Sequence, residues 1–174
     1  IVKIGNILGS AGYYLARRRR NIGLKNLGLC FPNMSLERKH KIIKEHFKYL
    51  VTSAIEYGVA FYGSYTRIRQ FVQLKNLHYL MEYYEKRPII ILCPHFVGLD
   101  LGALRLSQEI VGCSIYSRQK NSLITEKLKE ARIRFIKDKG GAVFARQDGL
   151  RPVIKQLRQS KKAFYYLPDQ DFGE

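Results

Sequence analysis

The sequence predicts an α/β fold with a mainly parallel sheet that is flanked by helices and preceded by N-terminal helices. Downstream of Pro88, short apolar runs alternate with longer segments whose apolar residues recur at helical spacing. Such alternation is typical of parallel strands joined by right-handed helical crossovers. The first run, Ile89–Leu92, lies between Pro88 and Pro94, and its unbroken apolar character predicts a strand buried on both faces. Ionisable residues follow the carboxyl end of each run, where open α/β sheets bind ligands.

The chain begins with an apolar segment, Ile1–Ala16, that is followed by Arg17–Arg20. A bilayer-spanning helix needs about 20 apolar residues, and Lys3 and Asn6 interrupt this segment, so it is too short to span alone. We favour the distal end of a membrane anchor with its arginines on the cytoplasmic side, because consecutive arginines gain little from a packed fold. The alternative is an amphipathic helix on the body of the protein.

The remaining elements follow from caps and periodicity. Ser35 is a good N-cap for a long amphipathic helix that ends near Gly58, and another helix is expected over Gln73–Glu85. The sheet region divides into predicted strands and helices by the same criteria. The strands are Ile89–Leu92, Cys113–Tyr116, Ala142–Ala145 and Ala163–Leu167, and the helices are Leu99–Glu109, Leu123–Phe135 and Leu150–Gln159.

The composition limits the possible partners. The 174 residues include 31 Lys+Arg and 14 Asp+Glu, and the net charge of +17 favours nucleic acid, an anionic membrane surface, an acidic protein or a phosphorylated substrate. The three cysteines lack metal-ligand spacing and are expected to be free thiols. The length favours a single domain over residues 1–174. Because the chain starts at Ile1 and stops at Glu174 just after a polar motif, we expect a fragment of a longer protein.

The predicted strand ends supply the candidate active-site residues. If a helix begins near Gly98, the chain reversal brings the Asp100 carboxylate back to the imidazole of His95. That pair suits a general base, because the carboxylate fixes the tautomer and stabilises the imidazolium. The competing interpretation is a strand-to-helix loop in which Asp100 only complements the helix dipole. Charged residues after the other strands favour chemistry at His95, and they are Arg118, Arg146, Asp148, Asp169 and Asp171.

Two other kinds of site are less favoured. Cys93 precedes His95 by two residues, but a thiol at the end of a buried strand is usually inert, which argues against a nucleophile. Asp169 and Asp171 have no second histidine at ligand spacing near His95, so we expect neither a metal nor another cofactor.

Several motifs, in order along nearly the whole chain, resemble those of a known family. The chain resembles the late acyltransferases of lipid A biosynthesis, the lauroyl and myristoyl transferases of the lysophospholipid acyltransferase superfamily. The matching segments are Arg18–Pro32, His95–Asp100, Tyr116–Asn121, Arg132–Arg134, Arg146–Arg151 and Leu167–Gly173. The resemblance implies a glycerolipid-acyltransferase-like fold. It also implies that part of an N-terminal anchor and a C-terminal segment lie outside this chain.

The resemblance further implies the reaction and the roles of site residues. An acyl chain would pass from the thioester of acyl carrier protein to a hydroxyl of a lipid A precursor. His95 would be the base and Asp100 its partner, and the substrate-binding residues would be Arg118, Arg132, Arg146 and Asp169. The implied location is the cytoplasmic face of the inner membrane of a Gram-negative bacterium, on an anionic lipid surface.

Two rival functions stay open from the sequence. A basic nucleic-acid-binding module has the net charge of +17 as its sole support, without a recognised RNA- or DNA-binding motif, so we expect no nucleic-acid partner. Another glycerolipid or glycolipid acyltransferase of the same superfamily would share the chemistry of His95 and Asp100.

Overall fold

The computed structural model describes residues 1–118, 121–160 and 162–169. The chain divides into two compact units, Ile1–Gly58 and Val59–Glu174. The single domain predicted over residues 1–174 stays a prediction.

The first unit is helical. It contains α1 (Val2–Leu15), α2 (Arg17–Cys30) and most of α3 (Leu36–Tyr62). Ser35 caps α3, since its Oγ accepts the Arg38 backbone N–H at 3.3 Å, as the sequence predicts. Tyr13 of α1 is buried, and its hydroxyl lies 2.6 Å from Nδ1 of His40 on α3.

Two glycines let α1 approach α3 closely. A Cβ at Gly5 would overlap the Thr52 side chain, and a Cβ at Gly9 would overlap the backbone of Lys48. Apolar side chains elsewhere on α1 are exposed, among them Ile4, Ile7 and Leu8. In the described part of the chain, no helix is both long enough and apolar enough to cross a membrane.

The second unit contains the sheet. Its helices are α4 (Tyr65–Phe71), α5 (Leu77–Met81), α6 (Leu99–Leu106), α7 (Ser122–Ile133) and α8 (Arg151–Ser160), and its strands are β1 (Ile89–Leu92), β2 (Gly112–Tyr116), β3 (Ala142–Ala145) and β4 (Ala163–Tyr166). The four strands are all parallel, in the order β1-β4-β2-β3. The predicted α/β class, with its parallel sheet, flanking helices and N-terminal helices, is confirmed.

Both faces of the central strand β4 are packed. Ala163 and Tyr165 join Ile110 in one buried cluster, and Phe164 joins Cys113 of β2 and Val153 of α8 in another. The alternating side chains of β4 therefore connect two layers of the core.

Two predictions about elements are wrong. Strand β1 is not buried on both faces, because it lies at the sheet edge and Ile90 and Leu92 are 59% and 67% exposed. The helix predicted over Gln73–Glu85 is reduced to α5. The left-handed backbone of Asn76, with φ of 58°, starts that helix late, and turns follow it.

Candidate active site

The pairing of β1 with β4 brings two predicted site residues together. Leu92 is aligned with Tyr166, and His95 and Asp169 each lie three residues further along the chain. Nδ1 of His95 is 2.7 Å from Oδ1 of Asp169, and the backbone N–H of His95 donates to Oδ2 at 2.6 Å. One carboxylate therefore binds both the ring and the backbone of the same histidine.

These contacts stabilise the ionised form of Asp169. The hydrogen bond from the His95 backbone N–H, followed by the bond from the imidazole, lowers the pKa of this carboxyl below its ordinary value of 3.8. An ionised carboxylate on Nδ1 favours the tautomer with the proton on that nitrogen. The lone pair of the neutral ring is then at Nε2, which is the arrangement a general base needs.

Asp100 has a partner that the sequence analysis did not name. Gly98, with φ of 85°, precedes α6, and Asp100 lies in its first turn. The carboxylate accepts a hydrogen bond from Nε of Arg132 on α7 at 2.8 Å. We expected Asp100 on the imidazole, but Asp169 occupies Nδ1, because the register of β1 and β4 delivers its carboxylate there directly.

A groove of about 570 Å³ opens beside His95. Arg132 and Arg146 also line it, so three of the predicted site residues share one cavity. Tyr116, Ser117, Thr125, Leu150 and Tyr166 are further lining residues that the sequence analysis did not assign to the site. The signal for Tyr116 and Tyr166 was their position as the last residues of parallel strands.

Arg132 also lines a smaller cavity, of about 80 Å³. Asp100 and Arg132 are its charged lining residues, and most of the others are small or apolar, including Ala103, Leu104, Ile115 and Val143. It has room for a few apolar groups next to an ion pair.

Cys93 also lines this smaller cavity, and burial raises the pKa of its thiol. A thiol with a raised pKa forms little thiolate at neutral pH, which agrees with the prediction that Cys93 is no nucleophile.

The remaining predicted residues are distributed around the strand ends. Nη2 of Arg118, after β2, lies 3.8 Å from Oδ1 of Asp148, which follows β3. Asp171, named with Asp169 as a strand-end carboxylate, lies outside the described residues. Within residues 1–118, 121–160 and 162–169, no group of three or more His, Cys, Asp or Glu side chains is arranged to hold a metal ion.

Comparison with known proteins agrees with the motifs. A family model described as bacterial lipid A biosynthesis acyltransferase matches residues 1–174. The chain is 33% identical to a lipid A biosynthesis acyltransferase of Haemophilus influenzae over 159 residues, which cover 91% of this chain and 49% of that protein.

Two relatives from Escherichia coli have more specific names. The identity is 29% to a lipid A biosynthesis lauroyltransferase, over 99% of this chain and 55% of that protein. It is 31% to a lipid A biosynthesis myristoyltransferase, over 99% of this chain and 51% of that protein. The chain thus spans about half the length of the curated relatives it matches. Because the family model matches along its entire length, the chain belongs to the bacterial lipid A biosynthesis acyltransferase family.

Proposed function

We propose that this protein transfers an acyl chain from the thioester of acyl carrier protein to a hydroxyl of a lipid A precursor, with His95 as the general base. The observation that supports this most directly is the carboxylate of Asp169 on Nδ1 of His95, beside a groove that Arg132 and Arg146 also line. Membership of the family supports the reaction class.

The proton follows a short path. Nε2 of His95 accepts the hydroxyl proton as the oxygen attacks the thioester carbonyl. The imidazolium that forms is stabilised by Asp169, whose carboxyl stays ionised because its pKa is lowered. When the C–S bond breaks, the leaving thiolate takes the proton from the imidazolium. A thiol of pKa ~8.5 needs little assistance to leave, so direct transfer requires no acyl-enzyme.

Arg132 supplies positive charge to the same groove. Its Nε is bound by Asp100, which orients the guanidinium and leaves the Nη nitrogens as donors for substrate. Such donors suit the oxyanion of the tetrahedral intermediate or a phosphate of the lipid. The smaller cavity that Arg132 also lines is mostly apolar and fits a segment of hydrocarbon chain.

The surface of the first unit supports a membrane-bound acceptor. The exposed apolar side chains of α1 precede Arg17, Arg18 and Arg19, and the whole chain has a net charge of +17. Apolar and basic groups together favour an anionic lipid surface. We further propose that the protein works at the cytoplasmic face of the inner membrane, the location that the family resemblance implies.

The reaction can be tested with acyl carrier protein as donor and a tetra-acyl lipid A precursor as acceptor. We expect His95→Ala to lower the rate of transfer by about 10²–10⁴-fold, the usual contribution of a general base. His46→Ala is the matched control, because His46 is an exposed histidine on α3. Transfer by His95→Ala at the parent rate would contradict the proposal.

A further inference from the structure

The outer face of α8 presents a row of basic side chains. Val153 and Leu157 pack this helix against the sheet. Arg151, Lys155 and Arg158 are exposed, and at 3.6 residues per turn they lie within an arc of about 60° opposite those two residues. The row is about 10 Å long at a rise of 1.5 Å per residue. We name these three residues the α8 basic stripe.

The charges of this stripe are not neutralised by the protein. Helix α8 contains no Asp or Glu, and none of the described carboxylates forms an ion pair with the stripe. The lysines of α7 differ in this respect. On α7, Lys127 pairs with Glu130 at 2.9 Å and Lys129 with Glu126 at 3.7 Å. The stripe is therefore available to carboxylates of another molecule, whereas the α7 lysines already have partners.

The stripe begins next to residues that line the groove. Gly149 and Leu150, which directly precede α8, line the groove together with His95. Ile154 lies beside the stripe and is 47% exposed, which adds an apolar contact at its edge. A partner bound along α8 would thus have the groove at one end.

We propose that the α8 basic stripe is the docking surface for a small acidic protein that delivers the acyl thioester to His95; this rests on the proposed function. Basic residues at positions i, i+4 and i+7 match carboxylates presented one turn apart on a partner helix. A lipid surface fits the stripe less well. Among the described side chains of α8, Ile154 is the exposed large apolar residue, whereas α1 exposes several. Charge complementarity of this kind guides association and register.

The test compares two triple variants of the parent protein. Arg151→Gln/Lys155→Gln/Arg158→Gln removes the stripe, and Lys75→Gln/Lys86→Gln/Lys127→Gln removes the same charge from exposed positions elsewhere. We expect the first variant to raise the KM for acyl carrier protein as donor by about tenfold, with kcat near the parent value. The control should stay within about twofold. Transfer from an acyl-pantetheine thioester, which lacks the protein, should be unchanged in both.

Binding of acyl carrier protein without its acyl chain, measured on a biosensor at low and high salt, makes the outcome independent of turnover. Loss of low-salt binding in the stripe variant alone supports the docking surface. Equal binding by the stripe variant and the parent overturns it. Loss of binding to anionic vesicles with intact carrier binding also overturns it and assigns the stripe to lipid. If the parent transfers from no donor, the proposed reaction fails, while the binding comparison still decides the docking.

Discussion

The two oxygens of Asp169 have different hydrogen-bond partners, and an asparagine cannot replace both. Oδ2 accepts the backbone N–H of His95, and Oδ1 binds Nδ1. The backbone N–H can only donate, so in Asp169→Asn the amide oxygen must take the place of Oδ2. The NH₂ group then faces Nδ1 and donates to it. This moves the ring proton to Nε2, the nitrogen proposed to act as base.

The expected order of activities follows from this geometry. Asp169→Asn should approach His95→Ala, with a loss of about 10²–10⁴-fold, because the neutral ring has the wrong tautomer. Asp169→Ala removes the orienting carboxylate but leaves both tautomers accessible. Since the His95 and Asp169 side chains are 32% and 36% exposed, water weakens the tautomer preference. We therefore expect Asp169→Ala to be only about fivefold to tenfold more active than Asp169→Asn.

The assay is kcat/KM for acyl transfer, with the thermal unfolding midpoint measured for each variant. A midpoint close to that of the parent is expected for both, because Asp169 lies after the last described strand and is exposed. If Asp169→Asn is as active as Asp169→Ala, or more active, the contact does not set the tautomer, and the proposed role of Asp169 is wrong.

The same contact has a defined pH dependence. The pKa of Asp169 in the folded protein is below 3.8. The carboxylate is therefore ionised above that pH, and its effect on the tautomer of His95 is then fully present. The contribution is lost only as the pH falls through the lowered pKa. The order parent, Asp169→Ala, Asp169→Asn should therefore persist from pH 5 to 8.

Three other predictions concern separate parts of the molecule. Asp100→Asn and Arg132→Lys should each lower kcat/KM, because the two side chains are hydrogen-bonded. The double variant should be little worse than either, since the effects of paired residues are non-additive. Full activity of Asp100→Asn would contradict the pairing. Iodoacetamide at pH 8 should label exposed Cys30 far faster than Cys113, because burial raises the pKa of Cys113 to about 11; equal labelling by peptide mass spectrometry would refute this. Replacing Arg17–Arg20 with glutamine should weaken binding to anionic vesicles, most at low salt, and binding unchanged at every ionic strength would remove the electrostatic part of that idea.

The elements of the sheet region were predictable because each has a local signal. Strands β1 and β3 agree with the sequence to the residue, and β2 and β4 differ by one residue at one end. Short apolar runs bounded by proline or glycine define such strands independently of their neighbours. Their order in the sheet has no local signal. The position of Ile89–Leu92 at the edge of the sheet, which exposes Ile90 and Leu92, is therefore known only from the pairing of the strands in the structure.

The candidate site was predictable to the same extent. The charged residues after the strands predicted that His95 and Asp169 lie at the same end of the sheet, because parallel strands place their carboxyl ends together. The partner of His95 was inferred from separation along the chain, which favoured Asp100. The actual contact joins residues 74 positions apart, through the alignment of Leu92 with Tyr166.

The carboxylates of Asp169 and Asp100 have distinct partners, and this separates their expected effects on the proposed reaction. Asp169 binds the imidazole of His95, so it acts on the tautomer and the orientation of the proposed base. Asp100 binds Nε of Arg132, so it acts on the position of a positive charge. We infer that loss of Asp169 lowers the rate through the tautomer of the imidazole, whereas loss of Asp100 lowers it through the stabilisation of negative charge. A loss of rate in Asp100→Asn/Asp169→Asn close to the product of the two single losses would distinguish this arrangement from a direct Asp100–His95 pair.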